Sequence, residues 1–581
     1  MLLILLFWGW ALGVSLGLGL GLAAALRRLA GPLPNVLTNS PELLCLTGLA
    51  ALSWLVAGLS FGLPVALPMQ VGLSALAAGC LVARRVQLQE VWRSYAHEWR
   101  AAGIGTGALA AVLAALVLVH AAQPPTFPDA ALYHAQFVQW LHQYPVVPGL
   151  GNLQSRLAFN SHAHLLTAFF SPAVAGRGPA FQQIVNSLGC LLLVLHHMRR
   201  AATHARPGGQ PWLSWFYLGT LLLLLMAVRP WISSPLPDST VAVWGLLLLG
   251  ALLETPRLSL SGLAWLTLLM ATALTFKPSA GLLLLWPMAG LLRRPRRTWG
   301  RGLAVAVGVA AVMLLPWLGR NVLQSGYLAY PLVSWSLGLD WAVPETQRVA
   351  DVAEIRLFAR RPLADWPEVA GQPLHQWLPR WWVQQEPADQ RLLVLGLVGA
   401  AVVLGWLLRL ALRRPAVLRR QLHRPEVQFY GLLLVGCGGW FVAAPALRFA
   451  YAYLIGAAVL GPLLVLRKPL ARWERLSGGV LLSLGLLYGV NGLRHELARP
   501  GALTTYAVWP ADYPPMPVRV AGRLGPYPLR VALPPNERCG NCPLPCAEAW
   551  LPGLRLRGTT LREGFRTHLG GGGVPPQPVY L

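Results

Sequence analysis

Long apolar runs alternate with short polar connections along most of the chain. An α-helix needs about 20 apolar residues to cross the hydrocarbon core of a bilayer, and most of the runs approach that length. The pattern therefore predicts about fourteen transmembrane helices, of which the shorter ones favour tilted, broken or re-entrant passages. The runs cover residues 2–26, 43–61, 66–84, 102–121, 180–198, 213–229, 239–253, 258–275, 278–292, 302–318, 392–411, 428–444, 449–466 and 474–490.

The same pattern predicts the domain organisation. Residues 1–490 form a polytopic membrane domain, and residues 491–581 form a small tail that contains cysteine. Two long polar connections, 122–179 and the Trp-rich 319–391, interrupt the apolar runs, and connections of that length usually have a function. The short turn 229–240 is also notable, and only the Arg-rich connections are predicted to act as tethers.

Composition excludes a water-soluble protein. The chain is 55% hydrophobic and 12% charged, whereas soluble domains contain about 25% charged residues. Too little polar surface remains to cover a protein of 581 residues in water. The predicted fold class is therefore an all-α polytopic membrane protein.

The net charge of +26 is arranged in short basic clusters between the apolar runs. This arrangement indicates cytoplasmic anchoring and not nucleic-acid binding, because Lys and Arg accumulate in the cytoplasmic connections of membrane proteins. All six clusters fall on one side if residues 157–175 do not cross the membrane. Both termini and the connections 122–179 and 319–391 are then extracytoplasmic, and the first apolar run is a span, not a cleaved signal. The clusters lie at residues 27–28, 84–100, 196–206, 293–301, 409–424 and 467–475.

A helix is predicted immediately after Asp129. Aromatic residues recur at helical spacing on one face (Tyr133, Phe137, Trp140, Tyr144), and Gln136, Gln139 and Gln143 give a separate polar face. The pattern predicts an amphipathic helix at the membrane interface, with its aromatic face toward lipid or neighbouring helices. Asp129 has the position of a helix cap, a role that is compatible with a functional one.

Few cations lie at the predicted outer ends of the spans. They are Arg156, Arg229, Lys277, Arg320 and Arg448, and each either anchors its helix at the interface or binds an anion. Arg448, in "APALRFAYAY", is the strongest phosphate candidate because guanidinium binds phosphate in bidentate geometry.

Three other polar groups on this side were considered. Asp238 is either a helix cap or a second functional acid. Arg156 and Asn160, in "SRLAFNS", are placed to contact a sugar or phosphate. His134, His162 and His164 share one connection but lack the spacing of metal ligands, so no metal site is predicted.

Three of the seven cysteines, Cys539, Cys542 and Cys546, lie close together in the tail. A disulfide between two of them is expected in an oxidising compartment, but the spacing does not say which two. A redox Cys-x-x-Cys or a zinc site is an alternative for the same residues. The four other cysteines lie in apolar runs and are predicted to be packing residues.

An acid just after a span, at the start of a polar loop with membrane-parallel helices, resembles the GT-C superfamily of membrane glycosyltransferases. Within it, "PDAALYH…GLGNLQSRLAFNSH", "GRNVLQSGYLAYP", "APALRFAYAYL" and "CPLPCAEAW" resemble an uncharacterised multi-pass bacterial family. The resemblance covers most of the chain from about residue 120 onward.

The resemblance implies transfer of a sugar from a polyprenyl-phosphate donor to an extracytoplasmic glycan, lipid or protein acceptor, at the bacterial inner membrane. It assigns Asp129 as the catalytic acid-base group, either accepting the acceptor's proton or holding a divalent cation. The donor, membrane lipid and the acceptor are the implied partners. The implied substrate-binding residues are His134, Arg156, Asn160, Asp238, Lys277, Arg320 and Arg448.

Other functions fit the same pattern. A polysaccharide polymerase or ligase would also be polytopic with a long outer loop, and a lipid or glycolipid transporter or a non-enzymatic assembly protein remains open. Polar residues gather at one face and not at mid-span, which favours an enzyme. Because isolated charges near hydrocarbon are costly, the five residues Asp129, Arg156, Lys277, Arg320 and Arg448 are predicted to converge on one cavity.

Overall fold

The computed structural model describes residues 1–172, 181–255, 257–361, 366–472, 474–498, 502–534, 538–551 and 553–567, and most of them are helical. Within these residues, eight helices are long and apolar enough to cross a membrane. A ninth span results if Leu67–Ala83 and Arg85–Ala102, which meet at a bend of 78°, are counted together. The chain is therefore a helical, membrane-type protein.

Among the described residues, each of the fourteen apolar runs overlaps helical structure. The helices before the first long connection are α1 Leu2–Ala30, α2 Asn35–Thr38, α3 Pro41–Leu59, α4 Leu67–Ala83, α5 Arg85–Ala102 and α6 Ile104–Ala121. That connection holds a π-helical turn Ala130–His134, α7 Ala135–Gln143, 3-10 turns Leu150–Asn152 and Ser155–Phe159, and α8 His162–Phe169.

The central helices pass between the two long connections. They are α9 Ile184–His204, α10 Pro211–Val228, α11 Pro237–Glu254, α12 Leu260–Phe276, α13 Leu285–Leu292 and α14 Trp299–Ser325, with 3-10 turns Arg229–Trp231, Pro278–Leu284 and Arg296–Thr298. The later elements are α15 Glu345–Arg360, α16 Trp366–Ala370, α17 Leu374–Val383, α18 Pro387–Arg413, α19 Pro415–Leu422, α20 Pro425–Ala443, a 3-10 turn Leu447–Phe449, α21 Tyr451–Arg472, α22 Glu474–Leu497 and α23 Ala502–Thr505.

Small residues let the first membrane helices pack closely. A Cβ atom on Gly48 of α3 would stand 1.6 Å from the carbonyl oxygen of Ser15 in α1, and one on Gly19 of α1 would stand 2.0 Å from that of Leu44. Such backbone contact is typical of helix packing in membranes, where small residues line the interface. The side chain of Ser40 caps α3 by accepting from the amide of Leu43.

The connections between helices form two groups. In the first, Arg199 and Arg206 both bond Glu98, Arg294 donates to the carbonyl of Leu258, and Ser259 donates to that of Pro32. We call this group the arginine end. It contains the connections 31–40, 84–103, 205–210, 257–259, 293–298 and 414–424. The other group, the loop end, contains 60–66, 122–172, 229–236, 326–361, 444–450 and the tail.

The stretch 157–175 was expected not to cross the membrane. Its described part, up to residue 172, contains the end of one 3-10 turn and the eight residues of α8. A helix of eight residues is about 12 Å long, which is too short to span a bilayer. Residues 173–175 lie outside the described part of the chain.

The tail is built from short strands. β1 Val518–Leu524 pairs antiparallel with β2 Tyr527–Ala532, β2 pairs parallel with β3 Cys546–Ala547, and β4 Leu554–Leu556 pairs antiparallel with β5 Phe565–Thr567. Cys539 and Cys546 form a disulfide, whereas Cys542 is a free thiol. The expected bridge is thus confirmed, and the all-α description applies up to Leu497.

The helix predicted after Asp129 is present, but the tail covers it. Phe137 and Trp140 are buried, and the Trp140 ring packs edge-on against Phe565 of the tail. Gln136 is 0% exposed and donates to backbone carbonyls of the tail. The aromatic face thus contacts protein, including the tail, which was not expected as its partner, and the position of this helix at the membrane interface stays a prediction.

Candidate active site at the loop end

Four charged side chains form a chain of ion pairs at the loop end. Lys277 Nζ lies 2.6 Å from Asp238 Oδ1, and Arg448 Nε lies 3.6 Å from Asp238 Oδ2. Arg448 Nη2 also lies 3.5 Å from Asp129 Oδ2. We call Asp129, Asp238, Lys277 and Arg448 the charged quartet. Its formal charge is zero, so the four charges compensate one another. This lowers the free-energy cost of placing them beside apolar helices.

Each member of the quartet stands where a helix begins or ends. Asp129 precedes the π-helical turn, Asp238 lies in the first turn of α11, and Arg448 lies in the 3-10 turn between α20 and α21. Lys277 follows α12 with extended backbone (φ −155°), as expected for a residue before proline, which ends the helix there. Helix ends from distant parts of the sequence thus meet at one point.

The two acids differ in their surroundings. The Asp238 side chain is 2% exposed and lies against both cations, whereas that of Asp129 is 28% exposed and lies beside Arg448 alone within the quartet. Within the described residues, neither aspartate accepts a hydrogen bond as a helix cap. The capping role considered for both is therefore replaced by ion pairing. Asp238 can orient the cations, and Asp129 is accessible to a substrate.

Aromatic rings enclose the two cations. The Arg448 guanidinium lies 4.8 Å from the centre of the Phe127 ring and 5.2 Å from that of Phe449, and Lys277 Nζ lies 3.8 Å from the latter. Cations are attracted to aromatic faces at such distances. The rings restrict both side chains to one orientation and keep their charged groups directed toward the acids.

Two histidines lie behind the quartet. The rings of His134 and His164 are 4.4 Å apart. Burial, assisted by His164, Lys277 and Arg448, holds the pKa of His134 well below its ordinary value, and burial lowers the pKa of His164 to about 3. Both rings are therefore neutral at pH 7 and add no charge to the site. Among the described residues, no group of three or more His, Cys, Asp or Glu side chains is arranged to hold a metal ion.

Arg156, Arg320 and Asn160 have polar partners of their own. Arg156 forms ion pairs with Glu354 and with Glu548 of the tail. Arg320 is fully buried and donates to Asn160 Oδ1 at 2.9 Å, and Asn160 Nδ2 in turn donates to the carbonyl of Trp317. The structure thus brings Asp129, Lys277 and Arg448 together through ion pairs that involve Asp238, and the convergence of Arg156 and Arg320 on the same cavity stays a prediction. The substrate-binding roles of Arg156, Arg320 and Asn160 stay predictions.

The sequence reasoning did not single out the aromatic partners. Phe449 follows Arg448 directly, and Tyr451, two residues further on, donates to Asp389 Oδ1 at 3.1 Å. The Tyr451 ring stacks on Trp231. The signal was present in "RFAYAY", where three aromatic residues follow the arginine within six positions.

A second charged cluster occupies the arginine end and was not predicted. Arg199, 1% exposed, lies 2.8 Å from Glu42 Oε2 and 2.5 Å from Glu98 Oε2, and Arg200 pairs with Glu254. A cavity of about 390 Å³ lies beside these residues, also lined by Ser40 and His196. These ion pairs join the ends of α3, α5, α9 and α11 at the arginine end.

Comparison with known proteins identifies one family. The family described as "Domain of unknown function (DUF8201)" matches residues 1–455. That stretch includes the whole charged quartet, whereas the tail lies beyond it. No curated protein and no solved structure matches the chain.

Proposed function

The chain belongs to the DUF8201 family, and we propose that it is a membrane glycosyltransferase of GT-C type. It transfers a sugar from a polyprenyl-phosphate donor to an extracytoplasmic acceptor. The observation that carries this proposal is the charged quartet, which combines an accessible carboxylate with two oriented cations where membrane helices end. A lipid-linked phosphate enters from the bilayer and meets its cations at that depth.

The two cations hold the donor phosphate. Arg448 has two neighbouring carboxylates and Lys277 one, so both side chains are directed before the donor arrives. When a phosphate takes the outer side of Arg448, Asp238 keeps the guanidinium in place from behind, and Asp129 is released. Charge-assisted hydrogen bonds to phosphate are among the stronger polar contacts in proteins.

Asp129 then acts as the base. The acceptor hydroxyl attacks the anomeric carbon, its proton passes to the Asp129 carboxylate, and the bond from that carbon to the phosphate oxygen breaks. The polyprenyl phosphate leaves with the electron pair of that bond and remains bound by Arg448 and Lys277. Were a divalent cation bound with the donor, Asp129 would be the residue to hold it, and the ion would supply positive charge to the leaving phosphate.

Removing the Arg448 charge is expected to weaken donor binding. In Arg448→Gln, KM for a polyprenyl-phosphate hexose should rise about 10- to 100-fold, since hydrogen bonds to charged groups contribute about 1.5–3 kcal/mol. The measurement is transfer of radiolabelled hexose in proteoliposomes, with a panel of polyprenyl-phosphate hexoses as donors.

Arg229→Gln serves as the matched control. Arg229 is another loop-end arginine, but its guanidinium lies over Tyr488, away from the quartet. An equal rise of KM in both variants, or none in Arg448→Gln, contradicts the donor site. Donor movement across the bilayer without formation of a glycosylated product favours a transporter.

The proposed topology places the loop end outside the bacterial inner membrane. Fourteen helical passages, counting the shorter and broken ones, alternate between the two ends and leave both termini outside. The support is the distribution of charge, because the basic clusters gather at the arginine end.

Labelling of single cysteines tests this topology. In a chain carrying Cys542→Ser, the exposed positions Ser334 of the loop end and His423 of the arginine end are each replaced by Cys. A membrane-impermeant maleimide is expected to label Ser334→Cys in intact cells and His423→Cys only after lysis. The reverse pattern overturns the orientation.

A further inference from the structure

The disulfide-closed loop of the tail lies directly against the turn that follows Asp129. We propose that this loop, residues 539–546, is a brace that fixes the position of Asp129, and that Gln136 is the positioning residue through which it acts. The catalytic consequence rests on the function proposed above. The contacts that form the brace do not depend on that function and are tested separately.

The backbone after Asp129 is shaped to receive the loop. Residues 130–134 form a π-helical turn, in which the amide of Ala135 bonds the carbonyl of Ala130 five residues earlier. The carbonyl of Ala131 accepts a hydrogen bond from the amide of Gly540 at 2.7 Å. Short π-helical turns are rare and occur frequently at functional sites. Here the turn points one of its carbonyls at the tail.

Gln136 completes the contact one turn later. Its Nε2 atom donates to the carbonyl of Gly540 at 2.9 Å and to that of Cys542 at 2.8 Å. The side chain is 0% exposed, so these bonds form away from competing water and their loss leaves buried polar groups unpaired. Together with the Ala131 bond, they join the loop to both ends of a six-residue segment that begins two residues after Asp129.

The loop is itself held in one shape. The disulfide joins Cys539 to Cys546, and the amide of Cys542 donates to the carbonyl of Cys539. Gly540 has φ +51°, and a Cβ there would stand 2.8 Å from Met516 Cγ. These constraints direct the carbonyls of Gly540 and Cys542 toward Gln136.

Further contacts anchor the tail on both sides of the brace. The amide of Ala511 donates to the carbonyl of Ala122, seven residues before Asp129, and the amide of Phe565 donates to that of Pro148. The segment carrying Asp129 is thus bounded by the tail before and after the turn. Since Asp129 itself makes no capping bond within the described residues, its direction depends on this backbone and on the ion pair with Arg448.

Hydrogen–deuterium exchange tests the brace without reference to any reaction. In Gln136→Leu, and in a double variant with Cys539→Ala and Cys546→Ala, amides of residues 131–136 should exchange about tenfold or more faster, because local opening no longer breaks the tail contacts. Gln143→Leu, an exposed position at the end of the same helix, and Cys542→Ala, which keeps the backbone carbonyl, should exchange as wild type. Unchanged exchange in the first two variants, or an equal increase in all four, overturns the brace.

Transfer kinetics then separate positioning from binding. Because small misplacements of a catalytic group are costly, kcat should fall about tenfold or more in Gln136→Leu, while KM for the donor stays within about twofold. A rise in KM with unchanged kcat contradicts positioning. Absence of transfer in the wild-type protein with every donor refutes the proposed function, whereas the exchange result still decides the brace. If Gln136→Leu fails to fold, the double cysteine variant provides the same two measurements.

Discussion

Replacing Asp129 with Asn is expected to lower the rate of sugar transfer about 100- to 10,000-fold, the usual contribution of a general base. The amide keeps the shape of the carboxylate but cannot accept the proton of the acceptor hydroxyl. The variant should fold normally, since the side chain is partly exposed and contacts Arg448 at 3.5 Å without capping a helix. The measurement is kcat in proteoliposomes at saturating donor, with thermal unfolding in detergent as the check on folding.

Asp340→Asn is the matched control for that experiment. Asp340 is another loop-end acid, half exposed and paired with Arg557 of the tail, and lies outside the quartet. Its substitution should leave kcat unchanged. Full transfer by the Asp129→Asn variant, or an effect on donor KM alone, shows that Asp129 only partners Arg448.

Replacing Arg199 with Met is expected to destabilise the protein by about 3–5 kcal/mol, the usual cost of removing one partner from a buried ion pair. Glu42 and Arg199 are each 1% exposed, and Arg199 also contacts Glu98. Without the guanidinium, the buried Glu42 carboxylate keeps polar neighbours such as Ser40 and the His196 ring but loses the cation that compensates its charge. Unfolding by titration with denaturing detergent measures the change in the free energy of unfolding.

Two further variants identify the cause. Adding Glu42→Gln to Arg199→Met removes both charges and should recover much of the lost stability. Arg27→Met, at an exposed position of the same end, should change the free energy of unfolding by less than about 0.5 kcal/mol. If Arg199→Met alone lowers the free energy of unfolding by less than about 1 kcal/mol, Arg199 does not compensate the burial of the Glu42 charge as expected.

Hydropathy and charge located the helices well, because burial in lipid requires long apolar runs whatever their partners are. The same reasoning selected Asp129, Lys277 and Arg448, since charges at the ends of apolar helices need neighbours. It did not predict the partners that the structure shows for Arg156 and Arg320, since Glu548 and Asn160 lie far away in sequence. Both sets of residues have the same local pattern. Only tertiary packing decides which charges meet.

The contacts of the tail and of the arginine end could not be predicted from the sequence, for related reasons. Gln136 donates to backbone carbonyls of the tail. Every residue has a backbone carbonyl, so the sequence of the tail does not indicate which residues Gln136 contacts. Glu42 and Glu254 stand at helix ends, where acids are common and usually solvated. Their burial follows from the neighbouring helices, and a single helix pattern does not contain that information.

The long sequence separation between the brace and the turn that it contacts also sets the order in which the two are synthesised. Gln136 precedes Gly540 by 404 residues, and a ribosome adding about 5–20 residues per second needs on the order of 20–80 s to cover that distance. Throughout this interval the helix after Asp129 has been synthesised, whereas the loop 539–546 that contacts it has not. A nascent chain that has not yet reached Gly540 therefore carries Asp129 and the membrane helices but lacks the loop that braces the turn after Asp129.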